Sequence, residues 1–281
     1  MTNDWQSWIG RETHSEAHFD PMQANRMAVT LGREPEFQEG DLLPHAWHWL
    51  YFHDLVPAGK LGRDGHPALG VTMPPVPLER RMWAAGALHF NAPLRLGDRA
   101  TRTSRIASIV PKSGRSGELY FVTIESEVAV DSRVALRETQ SIVYRELTSG
   151  GSGAAIPAPA AADFSSGWEL DTVALFRYSA LTFNSHRIHY DADYARDIEG
   201  YSGLVIHGPL IATLLLDAAK HNAPPIRSFE FRAKSPLLLP DPFTVHGTRD
   251  PDAVKLWATN ADGGLAMEAS AQYATAEGSA A

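Results

Sequence analysis

The sequence predicts an α+β protein built from two related halves, each a curved antiparallel sheet wrapped around a central helix. Three observations predict it. The stretch TSGGSGAAIPAPAAA at 148–162 carries no charge and divides the chain into residues 1–147 and 163–281. Its glycine and serine make it a flexible linker, and its prolines stop helix and central strand alike. Short motifs recur in one order on both sides of it. Each side then ends in strand-like segments joined by short turns, which pair antiparallel most readily.

The recurring motifs are three. Ala28-Val29-Thr30-Leu31 resembles Ala180-Leu181-Thr182-Phe183. Leu43-Pro44-His45-Ala46 resembles Val205-Ile206-His207-Gly208. Leu88-His89-Phe90 with Asp98 resembles Phe229-Glu230-Phe231 with Asp241. Their common order points to a duplication with drifted loops; coincidence in an Ala/Leu-rich chain is the competing explanation.

In chain order, the first half opens with helix. A helical stretch after Ala46 carries Trp47, Trp49, Tyr51 and Phe52, a cluster that reads as core packing. Strands are predicted at 99–109, 118–130 and 133–146, rich in β-branched residues, with a turn at 112–117. The second half holds GPLIATLLLDAAK at 208–220, apolar almost all round, and such a helix must be buried. Strands follow at 226–233, 242–249, 253–260 and 265–274. The Ala-, Gly- and Ser-rich tail after Tyr273 is expected to fray.

Composition narrows the function. Of 281 residues, 44% are hydrophobic and 21% charged, enough for a real core. There is no cysteine, which removes disulfide scaffolds, thiolate metal sites and cysteine nucleophiles, and fits a reducing compartment. The net charge of -8 disfavours nucleic acid and anionic membrane as partners. No run approaches the ~20 apolar residues of a membrane span, and Met1-Thr2-Asn3-Asp4-Trp5 lacks a secretion signal's basic start. A cytoplasmic protein is expected.

The chemistry concentrates in FRYSALTFNSHRIHYD, from Phe176, and in the later EGYSGLVIHGPL. His186 and His189 lie three apart beside Asn184 and Asp191, and His207 stands at the mouth of the apolar helix. Imidazole moves protons near neutral pH. Pro209 suits a first helical turn, and Gly208 before it leaves its amide free to approach a ligand, aided by the helix dipole. Such groups can add water across a double bond conjugated to a thioester. The alternatives are a histidine network that merely caps helices, and a metal site, for which a spacing of three without a third ligand is weak support.

This stretch resembles the hydratase motif of the MaoC-like, or R-specific enoyl-CoA hydratase, family of hotdog proteins: Ser-Gly-Asp-x-Asn-Pro-x-His, then His-Gly and the central helix. Thr182-Phe183-Asn184-Ser185-His186-Arg187-Ile188-His189 occupies the loop and His207-Gly208 the His-Gly. The resemblance implies a double hotdog fold. It places the family's catalytic Asp on Asn184, its second polar residue on His186, its catalytic His on His189, and its oxyanion donor on the Gly208 amide. From His189 to Gly208 is 19 residues, close to the family spacing. An amide at 184 cannot be a general base. The variant nevertheless resembles the double-hotdog 3-hydroxyacyl-thioester dehydratases, and within them the mesaconyl-C4-CoA and itaconyl-CoA hydratases. By the motif match, Gly32 and Phe37 stand where the second half has Asn184 and His189. The first half is therefore degenerate, a scaffold and part of a substrate tunnel.

The implied reaction is reversible hydration of a 2-enoyl-CoA, with a branched C5 dicarboxylic acyl group of the mesaconyl-C4 or itaconyl type giving citramalyl-CoA. No cofactor is implied beyond coenzyme A as part of the substrate, and no metal. His186, Arg187, His207, Arg80 and Arg81 are candidate substrate contacts, the arginines for a free carboxylate. Arg99, Arg102, Arg105, Lys112 and Arg115, a run without an acid, could hold the CoA phosphates, with Arg99, Arg102 and Arg105 the first candidates; a solvated strand face is the plain alternative. Hotdog relatives commonly associate, so a homo-oligomer stays open. Competing functions are dehydration of fatty 3-hydroxyacyl thioesters, thioester hydrolysis using Asp191 or Asp193, and acyl binding without catalysis.

Overall fold

The structure is a computed structural model that describes residues 5–114, 117–146, 156–220 and 224–274. The first half comprises β1 (Glu12–His18), α1 (Pro21–Thr30), β2 (Arg80–Phe90), β3 (Arg99–Gly114), β4 (Gly117–Val130) and β5 (Arg133–Arg145). The second comprises β6 (Phe164–Trp168), α2 (Thr172–Thr182), α3 (Ala192–Asp197), α4 (Gly208–Lys220), β7 (Ile226–Ala233), β8 (Phe243–Asp250), β9 (Ala253–Asn260) and β10 (Leu265–Tyr273).

The strands form one 10-stranded sheet in the order β1-β3-β4-β5-β2-β7-β10-β9-β8-β6. Counted inward from either edge, each half contributes its first, third, fourth, fifth and second strand. That identity of order is what a duplication leaves behind. The halves join where β2 runs antiparallel to β7, with Leu88 opposite Phe229. These two are matching positions of the recurring motif, so a local two-fold axis passes between them. Both side chains are fully buried.

α4 supplies the second half's core. Leu210, Ile211, Leu214, Leu215 and Leu216 are all buried. The helix lies against β7, β8, β9 and β10. The all-round apolar character of its sequence is satisfied by this enclosure.

Three expectations need correction. After Ala46 the first half makes only a 3-10 turn, Trp47–Leu50, instead of a helix. Trp47 and Leu50 are buried there, so bulky side chains fill volume that backbone fills in the second half. The turn expected at 112–117 is mostly strand, with 115–116 outside the described residues. Of the expected linker, 148–155 lie outside the described residues, whereas Pro157 bridges Gly264 and the Ile156 carbonyl accepts from the Leu265 amide at 2.8 Å. The described end of that stretch is thus tied to the β9–β10 turn. The tail expected to fray lies, from residue 275, outside the described residues.

Candidate active site

α2 delivers the loop. Asp171 caps its start by accepting from the Ala174 amide at 2.8 Å, and Phe183 ends it in the left-handed region, at φ 53. The chain then turns tightly. The Asn184 amide donates to the Ser179 carbonyl at 2.8 Å, and the Asn184 side-chain oxygen accepts from the His186 amide at 3.0 Å. The oxygen of Asn184 is therefore committed to the loop, and its NH2 remains for a ligand. A single 3-10 turn, Arg187–His189, brings His189 inward.

His189 is buried and held by one decisive bond: its Nδ1 lies 2.7 Å from the Val205 carbonyl. A carbonyl only accepts, so Nδ1 carries the proton and Nε2 keeps its lone pair. Burial pushes the imidazole's pKa down to about 4, with the Val205 bond opposing. The ring is therefore neutral near pH 7. It stacks on His207 at 3.6 Å between centroids and 20° between planes. His207 is fully buried, and its Nε2 meets the Ser179 hydroxyl at 2.8 Å. His186 completes the group, edge-on to His189 at 5.5 Å, its pKa lowered to about 2 by burial and by His189, Arg81 and Arg80.

Gly208 follows His207 directly and opens α4. A first-turn amide has no carbonyl one turn below to bond. A Cβ at this position would sit 2.9 Å from Cε3 of Trp83, so only glycine lets the helix end approach that ring. Trp83 is itself fixed by stacking on Phe231 at 4.2 Å and by the edge of Trp49 at 5.6 Å. The expected cluster of Asn184, His186, His189, His207 and Gly208 is brought together in one place.

The structure also places over this loop a turn that sequence reasoning did not single out. The Arg187 amide donates to the Asp64 carbonyl at 2.8 Å, and the Ser185 hydroxyl donates to the Gly65 carbonyl. The His66 ring lies 4.5 Å from that of His186. Asp64, His66 and His186 present ligand atoms within 4.8 Å of one another, a metal-like grouping. Arg81 stands 3.6 Å from the Asp64 carboxylate. A fixed cation at that point offsets the Asp64 charge that a metal ion would draw on. A cavity of about 180 Å³ adjoins it, lined by residues including Asp64, Arg80, Arg81, Tyr144 and Glu199. Neither His189 nor Gly208 lines this cavity; the 62–68 turn lies over the loop that carries His189.

The arginines divide. Arg80 pairs with Glu199 at 2.9 Å and Arg187 with Asp191 at 2.6 Å. Arg81 is held less tightly, and its Nη2 is buried without a hydrogen-bond partner. Arg99, Arg102 and Arg105 do not share a face: side chains alternate along a strand, so position 102 points opposite to 99 and 105. Arg102 turns toward Phe52 (5.0 Å to the ring centre) and Asp54 (3.6 Å). Arg105 is paired with Glu125 at 2.7 Å, and Arg99 is exposed. The three therefore cannot form one phosphate site. Asp191 and Asp193, the carboxylates a thioesterase would need, are bound to Arg187 and Arg196.

A model of the hydroxyacyl-thioester dehydratase type 2 family matches residues 46–239. The chain belongs to this family. As one of these dehydratase-family proteins it is a carbon–oxygen lyase of the hydratase type. It is 41% identical over 278 residues to the mesaconyl-C(4)-CoA hydratase of Chloroflexus aurantiacus, covering 96% of this chain and 98% of that one. It is 27% identical to the mitochondrial hydroxyacyl-thioester dehydratase type 2 of Schizosaccharomyces pombe, over 72% of this chain and 77% of that one. The MaoC-like dehydratase from Phytophthora capsici superposes with a TM-score of 0.71 at 15% identity, over 97% of this chain and 98% of that one. A Mycobacterium tuberculosis protein described as a double hotdog superposes at 0.60 and 12% identity, over 95% and 97%. The chain therefore has the double hotdog fold.

Proposed function

We propose that this chain adds water reversibly to a 2-enoyl-CoA whose acyl group is a branched C5 dicarboxylic acid, as in mesaconyl-C4-CoA. The observation that carries the reading is the His189–Val205 bond, which leaves a neutral imidazole with a bare Nε2 beside the opening of α4. The Gly208 amide donates to the thioester carbonyl and stabilises the enolate charge as water attacks the β-carbon. His189 Nε2 takes the proton from water and returns one to the α-carbon. The Asn184 NH2 donates to the attacking oxygen. An oxyanion donor contributes on the order of 3 kcal/mol and a general base about 10²–10⁴-fold. His207 and Ser179 set the angle of the His189 ring.

The step is acid–base chemistry and uses no cofactor and no metal. Arg102, 3.6 Å from Asp54, which follows His53 in the chain, is the cation assigned to a CoA phosphate, since the His53 ring stacks on Phe183 of the loop at 5.8 Å. The groups assigned to the step all belong to one chain. Among the described residues no helix is long and apolar enough to cross a membrane, and the lack of cysteine fits the cytoplasm. The 41% identity to a mesaconyl-C(4)-CoA hydratase over nearly the whole chain favours the dicarboxylic substrate over the fatty 3-hydroxyacyl chains suggested by the yeast relative. The test is the loss of conjugated-thioester absorbance with mesaconyl-C4-CoA against crotonyl-CoA. A higher kcat/KM for the first is expected; a preference for crotonyl-CoA would contradict the acyl assignment, and release of free CoA would contradict hydration.

A further inference from the structure

A dicarboxylic acyl thioester carries a second anion that must be matched somewhere near the reacting carbons. Arg80 and Arg187 are each in close ion pairs with their own acid, at 2.9 and 2.6 Å, although Arg80 Nε makes no well-aligned hydrogen bond. Arg81 is different. It faces Tyr144 across the β2–β5 register, so the two side chains leave the sheet on one side. Tyr144 is fully buried, and its hydroxyl interacts with Arg81; neither that hydroxyl nor the buried Nη2 of Arg81 makes a well-aligned hydrogen bond. Unpaired buried donors are costly and mark places where a ligand completes the bonding.

Both residues line the cavity of about 180 Å³. Around it Arg63, Arg80 and Arg81 face Asp64, Glu79 and Glu199, and Arg145 adds a further cation beside Glu199. One small anion would balance that set. Asp64 belongs both to the cavity wall and to the group with His186, whose ring touches His189. A subsite here requires the carboxylate on the β-carbon, the carbon that receives water, to reach past His186, which stands between this wall and His189.

Resting on the hydratase reading above, we infer that Arg81 and Tyr144 together form the subsite for the substrate's free carboxylate, and that they determine the choice of a dicarboxylic over a monocarboxylic acyl group. The guanidinium supplies charge and Nη2–H, and the phenol supplies a neutral O–H that rejects acyl groups unable to accept it. Arg80 and Arg187 are structural by contrast.

The test is equilibrium binding of two unreactive thioesters that differ in one carboxylate, succinyl-CoA and butyryl-CoA. The wild-type chain is expected to bind succinyl-CoA at least tenfold more tightly. Tyr144→Phe and Arg81→Gln are each expected to cut that ratio at least fivefold, with Arg81→Lys intermediate. Equal wild-type affinities, or a variant that weakens both ligands by one factor, would overturn the inference. Tyr144→Phe, which removes a single oxygen, decides the matter even if Arg81→Gln fails to fold. Because neither thioester turns over, the result is independent of hydration, whose own failure would show as absent turnover in the absorbance assay.

Discussion

The Nδ1 of His189 and the carbonyl of Val205, 2.7 Å apart, decide which nitrogen of the active imidazole can act as a base. The Val205 amide also donates to the Ile188 carbonyl at 3.0 Å, holding the segment before α4 against the loop that carries His189. A general base is most useful when unprotonated at working pH. With burial lowering His189 to about 4, kcat/KM should stay flat from pH 8 down to about pH 5 and fall only below that. A pH–rate profile breaking near 6.5, the ordinary histidine value, would show the ring to be solvated and the assignment of its environment wrong.

The same burial makes folding sensitive to acid. His45, lowered to about 3, His186 and His189 are all kept neutral by burial, and His207 is pushed well below its ordinary value by burial, His189 and His186. In the unfolded chain each takes up a proton below about pH 6.5. Their contribution to stability is thus fully present above that pH and is lost as pH falls toward the folded values. Each can contribute about 1.4 kcal/mol per pH unit in that window. Urea unfolding should show a clearly lower midpoint at pH 5 than at pH 7; equal midpoints would contradict it.

Gly208 and Trp83 should be energetically coupled. The methyl of Gly208→Ala would press on Cε3 of Trp83 from 2.9 Å and shift the amide that meets the thioester. A drop in kcat of at least tenfold is expected. Gly208→Ala with Trp83→Leu should recover part of it, a non-additivity that a double-mutant cycle reads directly. Additive effects would mean that the contact does not position the amide.

The first half has a buried polar cluster of its own. Glu138 accepts from the Trp49 indole at 2.8 Å, from the Gln140 side chain at 2.6 Å, and meets His48 at 3.1 Å. Burial pushes this carboxyl up, but His48, Gln140 and Trp49 outweigh it and hold it below the usual range. Glu138→Ala strands the buried His48 and the part-buried Trp49 and Gln140 donors and should cost about 3–5 kcal/mol of stability. It should also lower activity, because Trp49 steadies Trp83. A loss below 1 kcal/mol in chemical denaturation would show the cluster to be solvated.

Much of this was legible in the sequence. The limits of α4, β7 and β9 follow from an apolar run opened by Gly-Pro and from β-branched segments cut by Asp/Gly turns. The proximity of Asn184, His189, His207 and Gly208 was legible because they lie within one short loop and one helix start. β2 was not, because RRMWAAGALHF, sitting between β5 and β7 at the centre of the sheet, has no polar alternation to betray a strand. The missing first-half helix was obscured because aromatic residues suit a helix face and a 3-10 turn equally. The 62–68 turn over His186, and the pairing of Arg81 with Tyr144, depend on contacts between distant segments that no local pattern records. The grouping of Arg99, Arg102 and Arg105 overlooked the two-residue period of the strand that carries them.

The most direct measurement is the hydration rate of purified His189→Ala with mesaconyl-C4-CoA, alongside a circular dichroism spectrum to confirm the fold. The account predicts a native spectrum and a loss of about 10²–10⁴-fold in kcat. A folded His189→Ala chain that retains more than about a tenth of the wild-type rate would contradict it.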